Sequence, residues 1–234
     1  MRGRRRRPGR GFYRTLLLAV PALSGALGCA READPPGLRV GPALVPAAEV
    51  AAARERLRAV YPELGDATLT WYLLDGDLGA AALLHHRFPE ESAQARSRAE
   101  AWVAELQAGR PWEELRAEWA AAHPELDFEP IPNPIAPYLI GSEPASWAAV
   151  LEPGAWVGPL KTLQGWEVVR LLERLPGHGT AGVATLDRLV APVGDQEARR
   201  AARADWSRLP LSGDPELLDA LPLEFRVGRT QGMP

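Results

Sequence analysis

The chain has 234 residues, 46% of them hydrophobic, and a formal net charge of −3. That is enough for one domain with extensions or two small ones, and too apolar for wholesale disorder. Residues 1–28 hold seven arginines and no acid, leaving 20 basic and 30 acidic residues in the remainder; a balance this negative excludes a nucleic-acid binder, which needs cationic contacts to phosphate.

Arg2, Arg4 to Arg7, Arg10 and Arg14 precede an apolar run, Leu16 to Leu27, interrupted by Pro21. The run is shorter than the ~20 residues that span a bilayer and fits the apolar stretch of an export signal. Ala26-Leu27-Gly28 then leads into Cys29, the only cysteine. This resembles a bacterial lipobox. The resemblance implies lipidation at Cys29, a membrane partner through that anchor, and a place in the cell envelope or periplasm. Residues 1–28 are then a signal peptide and 29–37 a polar tether. The plainer alternative is an ordinary signal with an incidental cysteine.

Residues 38–87 read as an N-terminal helical segment. Leu38 to Gly41 and Ala43 to Val45 are briefly extended. A helix is expected from Ala47 to Val60, with Val50, Leu57 and Val60 on its apolar side. Asp66 is placed to cap a second helix running from Ala67 to about His85, with Leu69, Leu73, Leu74 and Leu78 marking its buried face. Adjacent histidines on a helix project about 100° apart, which makes His85 and His86 poor co-ligands. No cysteine or His-Glu-x-x-His spacing accompanies them, so no metal is expected and both histidines are read as solvated.

Pro89 opens a stronger helix, with Glu90 and Glu91 complementing its dipole and Ala95, Ala99, Trp102, Val103 and Leu106 facing inward. Gly109 suits its C-terminal cap, and Pro111 starts the next helix, where Trp112, Leu115 and Trp119 recur at helical spacing. Prolines 130, 132, 134 and 137 stiffen the next stretch of chain. Glu143 to Leu151 reads as a short third helix bringing Trp147, Val150 and Leu151 to a core or pocket. Pro153-Gly154 is a turn pair, and Trp156, Val157 and Leu160 read as a strand. Thr162 to Gly165 is a tight connection, and Trp166 to Leu172 is a second strand, so the two pair as an antiparallel hairpin.

Leu151, Pro153-Gly154, Gly158-Pro159, Thr162, Gly165-Trp166 and Val168-Val169 sit at the spacing found at the end of parvulin-type (PpiC-type) peptidyl-prolyl isomerase domains. The junction Ala108-Gly109-Arg110, Pro111-Trp112-Glu113-Glu114-Leu115 resembles the helices of the same family. The resemblance assigns residues 88–176 to a parvulin-like domain and implies an α+β fold, a small antiparallel sheet packed with helices. Partners would be unfolded or proline-containing polypeptides, with no cofactor.

By the same resemblance, Tyr138, Leu139, Ile140, Trp147 and Glu167 wall the client pocket, and Asp127 stands in for the family's pocket acid; the ordinary expectation for Asp127 is a turn role next to Phe128. Glu167 replaces the histidine of the family's terminal strand; the ordinary expectation for it is a solvated glutamate. The family's first strand has room only at Leu83 to Phe88.

Prolyl isomerisation crosses a barrier of ~18–20 kcal/mol and needs no covalent nucleophile. A pocket lowers it by gripping the proline ring and stripping water from the twisted amide. The polar histidine, acid and cysteine set usual around that pocket is largely missing, leaving Glu167 and Asp127 as the candidate catalytic groups. Three functions therefore stay open: an envelope foldase that isomerises X-Pro bonds, a non-catalytic binding module on the same fold, and an envelope scaffold lipoprotein. Residues 177–234 read as a C-terminal extension packed on the N-terminal helices, with a helix from Glu197 to Trp206 and a final strand from Leu223 to Val227.

Overall fold

The structure, a computed structural model, describes residues 36–124, 126, 130, 132–134, 143–176, 182–227 and 229. It is α+β, with two separate antiparallel sheets. The first sheet begins with β1 (Gly37–Val40) and β2 (Ala43–Pro46), the two stretches expected to be extended, which pair with each other; β7 (Leu211–Gly213) adds to the other edge of β1 in the order β2-β1-β7. Helices α1 (Ala47–Arg58), α2 (Asp66–Leu73) and α3 (Gly79–Arg87) arise from their apolar spacing. Leu38, Val40, Val45, Val50, Leu57, Leu69, Leu73 and Leu83 bury together beneath them.

Two local expectations are corrected in this segment. Asp66 is the first helical residue rather than the cap, which is Gly65, and its carboxylate pairs with Arg58. The expected continuous helix is broken between α2 and α3 by a π-helical turn, Leu74–Leu78. One extra residue per turn turns Asp77 inward, to 9% exposure, while Leu74 and Leu78 stay buried. Gly79 comes next because Trp206 lies against it: a Cβ there would meet the indole at 2.4 Å.

The second sheet has the order β3-β6-β5-β4, every neighbour antiparallel. Its ribbon is the expected hairpin, β4 (Trp156–Thr162) and β5 (Gly165–Leu175), registered with Thr162 opposite Gly165 and Trp156 opposite Arg170. Two long helices, α4 (Pro89–Gln107) and α5 (Trp112–Ala122), cover it where the spacing places them. Ala99, Leu106, Trp112, Leu115 and Trp119 pack on Val168 and Leu189, a cross-strand pair. The short helix α6 (Glu143–Ala148) ends before Val150, which is 37% exposed rather than in the core.

Leu83 to Phe88 does not supply a strand: it lies within and just after α3. The inner strand beside β5 comes instead from beyond the ribbon, as β6 (Val183–Pro192), and β3 (Pro132–Pro134) pairs with its first residues. Beyond Thr185, where the pairing with β3 stops, the outer side of β6 is covered by side chains. The Asp187 carboxylate accepts the Arg188 N–H at 2.9 Å, and the Trp119 indole N–H donates to the Val190 carbonyl at 2.7 Å.

The rest of the extension packs on the first segment, as expected. Helix α7 (Gln196–Trp206), capped by Asp195, lies on α3, and α8 (Pro215–Asp219) meets α2. Leu223 to Val227 is not a strand. Pro222 starts a helical turn, α9 (Leu223–Arg226), whose Phe225 and Arg226 N–H groups bond to the Pro222 carbonyl. Phe225 then meets Trp71 edge-on at 4.7 Å.

Candidate functional site

The ribbon tip is where buried polar side chains converge. Glu167 is 1% exposed, so the expected solvated glutamate is corrected. It lies on an inner strand between β4 and β6, and the Thr162 hydroxyl donates to its Oε1 at 2.6 Å. Arg188 on β6 approaches Oε2 at 3.5 Å, and among the described residues that oxygen has no hydrogen bond. A buried carboxylate held by a hydroxyl and a guanidinium is a structural group first; it is not presented to a client.

The π-helical turn supplies the next member. Asp77 accepts from Arg203 of α7 at 2.8 Å and, weakly, from the Leu163 N–H at the ribbon tip at 3.4 Å. Burial pushes its carboxyl up to about 6, against the opposing charge of Arg203; the nearby charge of Glu167 raises it further and Arg188 lowers it. Asp75 faces Trp206, whose indole N–H lies 3.3 Å away. Gln164 at the tip is held from the same helix by Arg199 at 2.9 Å.

His85 completes the cluster, and its expected solvation is likewise corrected. Its Nε2 donates to the Thr162 carbonyl at 2.9 Å, and its Nδ1 faces the Ser92 hydroxyl at 2.6 Å. With the Nε2 proton committed to a carbonyl, a neutral ring accepts from Ser92, whose oxygen in turn accepts from the Trp166 indole at 3.2 Å. Burial pushes the imidazole down to about 4. His86, one residue on, is exposed as expected. The cluster ties α3, α4, the ribbon and α7 to one another, and its members line neither of the two clefts beside α4 and α5.

Trp147 belongs to a different cluster. It lies on α6 with the Arg56 guanidinium 4.3 Å above its ring, and its indole N–H is 3.3 Å from Glu143. Arg56 also donates to Ser146 at 3.0 Å and pairs with Glu143. Burial pushes the Glu143 carboxyl up, with Arg56 opposing. This joins α1 to α6 and fixes the indole in place; it does not bring Trp147 to Glu167. Asp127, Tyr138, Leu139, Ile140 and Cys29 lie outside the described residues.

Two clefts flank the α4–α5 layer. One, of about 410 Å³, is lined by Trp112, Glu113, Arg116, Arg170, Leu172 and Asp187, among others. Asp187 is its anchor, 7% exposed and accepting from the Trp112 indole at 2.6 Å and Arg116 at 2.9 Å. Sequence reasoning missed it. The signal was Asp187 itself, set beside Arg188 between Leu186 and the apolar residues Leu189 to Ala191, where a carboxylate turned inward needs partners. The other cleft, of about 520 Å³, is the groove between the two helices themselves.

Among the described residues no group of three His, Cys, Asp or Glu side chains is arranged to hold a metal ion, and no helix is long and apolar enough to cross a membrane. Compared with family models, curated proteins and solved structures, the chain matches none.

Proposed function

We propose that this chain is a divergent parvulin-like module of the cell envelope that binds unfolded or proline-containing polypeptide without isomerising it. Two features support the parvulin-like reading: the α4–α5 layer on an antiparallel sheet, and the closing ribbon at the spacing of that family. The signal-like N-terminus and Cys29 support export and anchoring. The burial of Glu167 carries the choice of binding over catalysis. It stands where the family has a histidine, yet its carboxylate is 1% exposed and held by Thr162 and Arg188. A group enclosed in this way cannot respond to the twisting amide of a client, so no transition-state interaction is gained there.

The full-length chain in detergent should bind a reduced, unfolded carrier protein. In a protease-coupled peptide assay it should leave the rate of X-Pro isomerisation at its buffer value. Acceleration of about tenfold, equivalent to ~1.4 kcal/mol of barrier, would replace this reading with the foldase one. Failure to bind any unfolded protein would leave the scaffold reading. The anchor is checked separately: cells should incorporate labelled palmitate into the wild-type chain and not into Cys29→Ala, and equal labelling of the two would remove the lipid site.

A further inference from the structure

The groove between α4 and α5 has a chemistry of its own. Residues 89–122 hold seven glutamates and four arginines, so this helical pair is acidic. The groove is lined by Arg98, Trp102 and Glu105 from α4 and by Leu115, Glu118 and Trp119 from α5, with Ala101 and Ala122 leaving room for a chain to approach. Leu115 and Trp119 form a buried floor, and Trp102 is half-buried on the wall.

One end is over-supplied with carboxylates. Arg110 pairs with both Glu105 and Glu118, and Glu114 lies 3.9 Å from the same guanidinium. At this end, one guanidinium answers three carboxylates. Glu105 is 42% and Glu118 68% exposed, so either can turn to a ligand without uncovering the core. Ion pairs this open to solvent are weak and exchange partners readily. An indole face beside excess carboxylate attracts a cation, and an apolar floor accepts the methylene stem of a long basic side chain. Arg98 of the lining and Arg110 at its end together face Glu105, Glu118 and Glu114, three carboxylates against two guanidiniums, so the balance is negative.

We infer that this groove docks a lysine or arginine side chain of a client polypeptide, seated against Trp102 between Glu105 and Glu118. The inference rests on the client-binding reading and adds a chemical preference to it: clients with basic residues are held in preference to neutral or acidic ones. The mature chain's negative balance works in the same direction at long range.

The test uses the full-length chain in detergent and two unstructured peptides of one sequence, differing only in arginine against glutamine at several positions. Calorimetry should show the arginine peptide binding at least about tenfold more tightly, a difference of ~1.4 kcal/mol, with affinity falling as salt rises. Glu105→Gln combined with Glu118→Gln should remove most of that difference. Glu224→Gln on α9 should leave it intact. Glu118→Lys should favour a glutamate version of the peptide, a gain of function that no folding defect can imitate. Equal binding of the arginine and glutamine peptides, or full retention of the preference in the double variant, would overturn the inference. An unfolded carrier protein separates the two claims. If it binds wild type and the double variant alike, the groove is not the docking site although client binding stands. If no unfolded protein binds while the arginine peptide does, the groove stands and the client reading falls.

Discussion

Gly165→Ala should destabilise the protein by more than about 3 kcal/mol, with a matching fall in the urea midpoint. Gly165 begins β5 with φ of 141°, a conformation that disfavours any side chain. A Cβ there would also lie 2.1 Å from the Ala191 carbonyl oxygen and 2.9 Å from Pro192 Cα, both backbone atoms of β6. A side chain could rotate away; a strand held along ten paired positions cannot. Gly154→Ala is the matched control. Its φ of 87° is equally unsuited to alanine, but nothing lies within 4 Å of the added methyl, so only the strain of about 1 kcal/mol remains. Similar losses for the two variants would mean that β5 and β6 are not in this register.

The second large effect is in pH. Asp77 and His85 are both buried, and their protons act on stability in opposite directions. The Asp77 carboxyl is raised from 3.8 to about 6. Its charged form is penalised in the folded state, so the stability it contributes is fully present below pH 3.8 and lost as pH rises through 6. The His85 imidazole is lowered from 6.5 to about 4. Its contribution is fully present above pH 6.5 and lost as pH falls through 4. Between pH 6.5 and 4 the unfolded chain takes up a proton at His85 while the folded chain takes one up at Asp77. The two contributions largely cancel. Asp77→Asn removes one side of the balance, so acidification over that window should destabilise the variant relative to wild type by up to about 1.4 kcal/mol per pH unit. Urea unfolding at stepped pH measures it, and parallel pH profiles for the two proteins would show that Asp77 is not buried as described.

The ribbon, α1, α4 and α5 were legible in the sequence because each is specified locally: a turn pair between β-rich runs, or apolar residues at helical spacing beside a proline or glycine stop. The buried polar cluster was not, because burial of a charge depends on partners far along the chain. Asp77 is covered by Arg203, 126 residues away, and His85 is bound to Thr162, 77 residues away. A local reading therefore left His85 and Glu167 in solvent, their usual place when unpaired. The π-helical turn has no composition of its own; Leu74 to Leu78 satisfies an ordinary helix equally well until Gly79 must admit Trp206. Leu223 to Val227 alternates like a strand, but Pro222 ahead of it sets a helical turn instead.

Because β6 arrives after the ribbon, β5 has only one flanking strand until residue 192 has been made. A nascent chain ending at the ribbon would display a naked inner strand, the form most prone to pair with a stranger. Only the pairing of β6 along β5 closes that edge, so the sheet is complete only once the chain has run well past the ribbon.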